Sequence, residues 1–157
     1  MKLPKGVTGF YETEENKPPQ LQLKDVKKKC YDAIHNVKGK VISFKKPSFP
    51  KNYYTIHVQI DKLQFFMLVN EHYPLAAFAN KVEYGNIQFV DNPKLEHACK
   101  QFFTVLSQEV LLSPLDLRKG ELLSRLPLDS QFSEVEYDQI LYWNPSIVGE
   151  IIFNEWA

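Results

Sequence analysis

Tyr53-Tyr54-Thr55-Ile56-His57-Val58-Gln59-Ile60-Asp61-Lys62-Leu63-Gln64-Phe65-Phe66-Met67-Leu68-Val69-Asn70 is the stretch on which the fold turns. Its first eight residues alternate: Tyr54, Ile56, Val58 and Ile60 fall on one side, Tyr53, Thr55, His57 and Gln59 on the other. That two-residue repeat is the signature of a strand. With Asp61-Lys62 as a two-residue hairpin turn, the register follows. Ile60 then stands opposite Leu63, Val58 opposite Phe65, Ile56 opposite Met67 and Tyr54 opposite Val69, a continuous apolar face expected as the core. The reverse face pairs Gln59 with Gln64, His57 with Phe66 and Thr55 with Leu68, a mixed surface expected to be partly covered.

Working outward, Lys40 to Lys46 reads as a preceding strand, after which Pro47-Ser48-Phe49-Pro50 forces a loop. Leu75 to Ala79 and Asn86 to Val90 read as two further strands joined through Tyr84-Gly85. Short turns with no intervening helix predict antiparallel pairing, because a parallel pair needs a long crossover. Before the sheet, Leu23, Val26, Cys30, Ala33/Ile34 and Val37 recur at helical spacing, so a helix is expected over about Leu23 to Val37. Lys38-Gly39 would end it, with glycine in the left-handed conformation.

After the sheet, Asn92-Pro93 is a helix start, with Leu95, Cys99, Phe102, Leu106 and Val110 as its stripe. Ser113-Pro114 repeats the signal for a short helix closing near Gly120. Ser133-Glu134-Val135-Glu136 is a capping box, with Phe132 and Tyr137 as its hydrophobic staple and a helix running to Trp143. Asn144-Pro145 would open a last helix carrying Ile147/Ile151 and Val148/Ile152/Trp156. Residues 1–20 read as an irregular arm pinned by Val7, Phe10 and Tyr11. There is no internal repeat or linker. The expectation is one α+β domain over 1–157: an N-terminal helix, an approximately five-stranded, mostly antiparallel sheet, and C-terminal helices packed on one face.

A chain of 157 residues, 44% hydrophobic and 13% aromatic, has the means to build a core without a disulfide or metal. The start Met1-Lys2-Leu3-Pro4-Lys5-Gly6 lacks the apolar run of a signal peptide, and Leu63 to Val69 is too short to span a bilayer, so a soluble cytoplasmic protein is expected. Cys30 and Cys99 each lie on a helical apolar stripe and read as buried free thiols. Net charge is zero but uneven: residues 1–51 hold twelve Lys and five acids, residues 52–157 seven Lys/Arg and fourteen acids. Such asymmetry bears on partners rather than on fold.

No catalytic, metal or nucleotide motif stands out. There is no Cys-x-x-Cys or His-x-x-x-His, and His97 and Cys99 point to opposite sides of a helix, so neither metal nor cofactor is expected. No Gly-x-Ser-x-Gly elbow or phosphate loop is present. The Lys-rich start lies near Phe44, Phe49, Tyr53 and Tyr54, but the two arginines, Arg118 and Arg125, lie outside it, which argues against nucleic acid. Glu134 and Asp138 share a side of a helix with Glu136 elsewhere, and all three read as a solvated helix start.

The tail is more distinctive. Residues 143–156 form the pattern Trp-x-Pro-x-x-x-Gly-Glu-x-Ile-Phe-Asn-x-Trp. Together with Leu3-Pro4-Lys5-Gly6-Val7-Thr8-Gly9-Phe10 and the stretch from His72-Tyr73-Pro74 to Asp91, it resembles a group of small uncharacterised bacterial proteins, although Ala157 replaces the acidic residue with which that group often ends. The resemblance brings no activity with it; for some proteins of this kind it implies a role as immunity partner of a secreted toxin. The residues lead to the same class by another route. An acidic, aromatic surface of Glu134, Asp138, Tyr142, Trp143, Glu150, Glu155 and Trp156 would suit a basic protein partner such as a toxin or nuclease, in a non-enzymatic binding module. A bland alternative is that the acidic half packs on the basic half. A second functional reading is a small-ligand binder or enzyme using the mixed sheet face of Tyr53, Thr55, His57, Gln64 and Phe66.

Overall fold

The hairpin forms in the register that its alternation dictates. A computed structural model describes residues 3–115 and 132–157. In it β2 (Tyr53–Ile60) pairs antiparallel with β3 (Leu63–Asn70) from Tyr53↔Asn70 to Ile60↔Leu63, with Asp61 in the left-handed region at the turn. Tyr54, Ile56, Val58, Ile60, Phe65, Met67 and Val69 are buried. Leu63 is the exception at 58% exposed, because the apolar cover ends at the turn with its partner Ile60.

β1 (Lys40–Lys45) joins the outer edge of β2, and β4 (Leu75–Glu83) the far edge of β3, both antiparallel. β5 (Asn86–Val90) pairs antiparallel with β4 from Phe78 onward. The strand order is β1-β2-β3-β4-β5. One feature was not legible in the sequence: β6 (Thr104–Val105) runs parallel to the first residues of β4, where β5 stops. The fold is α+β, with a mostly antiparallel open sheet.

Helices cover both faces. α1 (Leu23–Asn36) and α2 (Pro93–Cys99) lay Val26, Cys30, Ala33, Ile34, Leu95 and Cys99 on the hairpin's apolar face. Both cysteines are buried and free. The helix stop after α1 is displaced by one residue from expectation: Lys38, not Gly39, takes the positive φ. Lys38 N donates to His35 O and Gly39 N to Ile34 O, a Schellman closure. Gly39 is there for space, since a Cβ would sit 2.9 Å from Ile34 Cγ2 and 3.0 Å from Ile60 Cγ1.

On the reverse face lie α3 (Gln108–Leu111), α4 (Glu134–Trp143), α5 (Gly149–Ile152) and the N-terminal arm, burying Leu3, Val7, Tyr53, Leu68, Ala77, Phe89, Ile140, Ile151 and Phe153 together. The arm is pinned by Leu3 and Val7, which enter the core, while residues 11–17, with a 3-10 turn at Glu14–Asn16, are exposed.

Three helix expectations are corrected. α2 ends at Cys99, since the chain turns through 100–103 to bury Phe103 and feed the β-branched Thr104-Val105 into the sheet. Ser107, not Ser113, is the cap that starts the next helix, its side chain accepting from Val110 N; Pro114 instead bridges to Ile147. The rest of the helix expected up to Gly120 falls outside the described residues. Asn144-Pro145 stops a helix rather than starting one: Asn144 is the left-handed C-cap of α4, a conformation asparagine tolerates, and proline cannot continue the helix. The last helix is the short α5, and Trp156 stands on an extended tail.

Candidate functional site

Three asparagines, two at the ends of strands and one in the tail, build the frame of the site. Asn52 lies just before β2, and Asn70 ends β3. Asn52 Nδ2 donates to Val7 O and Ile152 O, both at 3.1 Å, while its Oδ1 accepts from Asn154 N at 2.8 Å. Asn70 Nδ2 donates to the same two carbonyls at 3.0 and 2.8 Å, and its Oδ1 accepts from His72 N and Tyr73 N. Asn154 closes the network: Nδ2 donates to Ile151 O and Thr8 O, and Oδ1 accepts from Trp156 N. Buried amides in apolar surroundings are costly unless satisfied, so this network fixes arm and tail firmly.

Glu136 fastens the arm from the other side. It is fully buried, which corrects the reading of the three acids as one solvated helix start. The capping box explains half of its role: its carboxylate accepts from Ser133 N and Ser133 Oγ. The same carboxylate accepts from Gly6 N at 2.7 Å, Thr8 N at 3.1 Å and Thr8 Oγ1 at 2.5 Å. Gly6 adopts a φ of 91°, which turns successive amides inward as an anion nest. Phe132 and Tyr137 meet edge to face, as the staple predicts. Glu134 and Asp138 remain exposed on the other side of α4.

The tail so fixed brings Trp156 parallel to Trp143, with ring centroids 6.3 Å apart and planes 3° apart. Trp143 Nε1 donates to Gln139 Oε1, Tyr142 meets Trp143 edge-on, and Phe10 of the arm leans on Trp156. A depression of about 200 Å³ opens beside the pair, lined by Trp143, Trp156, Tyr53, Tyr84, Glu83, Glu150 and Glu155 among others and, among the described residues, by no Lys, Arg or His. Tyr142 and Tyr84 stand at 77% and 72% exposure. Of the seven residues expected to bind a partner, Trp143, Trp156, Glu150 and Glu155 thus line one cavity. Glu134, Asp138 and Tyr142 are not part of its lining.

Tyr53, expected on the other candidate surface, lines this cavity too. It is 1% exposed, and its hydroxyl has no hydrogen-bond partner among the described residues. Burial pushes its phenol well above the usual range, and the Glu155 carboxylate adds to the effect. The structure separates it from the rest of the mixed-face set. Thr55, His57 and Phe66 are half-buried, His57 stacks on Phe66 at 4.7 Å, and Gln64 is exposed. None of these four lines a described cavity.

A second, wider groove of about 530 Å³ shares Trp156 as a wall, but its lining mixes Lys17, Lys51 and His72 with Glu71. A third, of about 570 Å³, lies by Asn36, Lys94 and His97. The α1 lysines lie on one face of the sheet and the α4 and tail acids on the other. Among the described residues, the ion pairs Lys28–Asp32, Lys29–Asp25 and Lys81–Glu83 lie within a half, and Lys51–Glu155 at 3.8 Å joins the two.

Sequence reasoning missed Glu83 and Tyr84, which reach the cavity through the β4–β5 turn, and the asparagines. A visible signal for the latter was an amide at each open end of an otherwise apolar hairpin. Among the described residues, no group of three His, Cys, Asp or Glu is placed to hold a metal ion, and no helix is long and apolar enough to cross a membrane. No protein-family model matches the chain, and neither a curated protein nor a solved structure is significantly similar to it.

Proposed function

We propose that the chain is a non-enzymatic protein-binding module that captures a basic partner on the acidic, aromatic surface made by α4, the β4–β5 turn and the tail. An immunity-type neutraliser of a basic toxin or nuclease is the finer form of this reading. The observation that carries it is the cavity lining: three carboxylates, two tryptophans and two tyrosines gathered, among the described residues, without a basic one. Aromatic anchors ringed by one sign of charge suit an interface in which charge steers encounter and aromatic burial holds the complex. The α1 lysines and the α4 and tail acids lie on opposite faces, and among the described residues Lys51–Glu155 is the ion pair that joins the two halves, which favours a surface role for the acids over internal neutralisation.

The test is affinity capture from the source cell with wild-type chain and a Glu83→Gln/Glu155→Gln variant. The expected result is a basic protein retained by the wild type at low salt, released as salt shortens the Debye length, and lost by the variant. Equal retention by both, or no basic protein at low salt, refutes the reading.

A further inference from the structure

The Tyr53 hydroxyl is an anomaly that the fold does not explain. Buried polar groups nearly always find a partner, yet this one, at 1% exposure, has none among the described residues. Its ring is held edge-on by Phe153, and the residue lines the cavity together with Glu155. The chain places one of its own cations at the margin of this site. Lys51 Nζ lies 5.6 Å from the Tyr53 ring centroid and 3.8 Å from Glu155 Oε1, while Lys51 itself is not part of the cavity lining.

We infer that this cavity is a receptor for a single guanidinium, the side chain of an arginine presented by the partner. The inference rests on the binding-module reading and names the group it recognises. Size sets the first limit: about 200 Å³ is below the roughly 300–1,000 Å³ of pockets for drug-sized ligands and suits one long side chain. Charge sets the second, since Glu83, Glu150 and Glu155 line the site and the lysines that touch Glu83 and Glu155 stand outside it. Glu150 is already engaged by Ser146 N and Oγ, which leaves Glu83, Glu155 and the Tyr53 oxygen as the acceptors for a cation's N–H groups. Shape selects guanidinium over ammonium: it is planar, forks its donors and stacks on aromatic planes, and the parallel indoles of Trp143 and Trp156 supply such planes.

The test uses the full chain and N-acetyl-arginine amide, followed through the indole N–H signals of Trp143 and Trp156 by NMR. N-acetyl-citrulline amide, the neutral isostere, is the control. The arginine compound should shift both signals saturably in the millimolar range while the citrulline compound does not. Tyr53→Phe, which removes only the oxygen, should weaken binding about fivefold, the effect of one hydrogen bond. Lys51→Met, which removes the competing cation, should tighten it about threefold. Equal response to both amides, or a folded Tyr53→Phe chain that binds as well as wild type, overturns the inference. If either occurs while the wild type still captures a basic protein in a Glu83- and Glu155-dependent way, the arginine receptor falls and the broader binding surface stands. Arginine-specific shifts without any captured basic protein support the receptor and count against the broader reading.

Discussion

Replacing Glu136 by alanine removes the carboxylate that ties the N-terminal arm to α4, and the structure sets the size of the effect. The carboxylate accepts from three backbone amides and two hydroxyls. The Ser133 and Thr8 hydroxyls can rotate towards other acceptors, and Ser133 is half-buried, so water can serve its amide. The Gly6 and Thr8 amides are held in the nest and have no such recourse. A buried donor left without an acceptor costs roughly 1–3 kcal/mol, so two of them predict a loss of about 4 kcal/mol. That is a large share of the ~5–15 kcal/mol of an ordinary domain. Glutamine keeps one acceptor oxygen but turns an NH2 towards an N–H, and should lose about 2 kcal/mol. Urea unfolding measures both, with the slope showing whether the unfolded or native state has changed compactness. Amide exchange should show lost protection at Gly6 and Thr8 in the variants. A loss below about 1 kcal/mol in the alanine variant at unchanged slope would refute the reasoning, because so small a value belongs to a surface position.

Three further outcomes follow from particular atoms. Tyr53→Phe should raise the stability of the unliganded chain by about 1 kcal/mol in urea unfolding, because it deletes a buried hydroxyl that has no partner among the described residues. Gly39→Ala should cost roughly 1–3 kcal/mol by forcing a methyl against Ile34 and Ile60, read as a lower midpoint of thermal unfolding. Burial pushes Cys99 from an ordinary 9.0 up to about 12, with Glu96 adding to it, and raises Cys30 by burial and by Cys99. The folded chain therefore holds these thiol protons more tightly than the unfolded one. Their contribution is complete below pH 9 and is lost as pH rises towards 12, at about 1.4 kcal/mol per pH unit for each thiol. A Cys30→Ala/Cys99→Ala chain should show a flatter decline in urea midpoint between pH 9 and 10.

The hairpin was legible because period-two alternation and a two-residue turn leave one register, and a one-residue slip would move Ile56 and Val58 to the mixed reverse face. The capping box at Ser133 was legible because it is a local exchange between residues three apart. The helix expected beyond Cys99 failed because Phe102, Leu106 and Val110 keep helical spacing while bending through a turn and a strand; spacing alone does not report where the backbone turns. Asn144-Pro145 failed because asparagine before proline serves either end of a helix, and only the long-range docking of Ile151 and Ile152 decides between them. Of the candidate site, the tail aromatics were visible as a composition. Their meeting with Tyr53, Glu83 and Tyr84 depends on contacts across some 60 to 100 positions, which no local pattern encodes.

The asparagine network joins residues as far apart as Thr8 and Asn154, a separation of 146 positions. Its consequence is one of timing. During synthesis the hairpin and α1 can find each other before residues 71–157 have emerged, but the amides of Asn52 and Asn70 wait for Ile152 and Asn154 before their bonding is complete. Contacts of such long range are slow to form. The nascent chain therefore carries these amide groups open to water until Ile152 and Asn154 emerge, and the acidic surface is assembled in that same step.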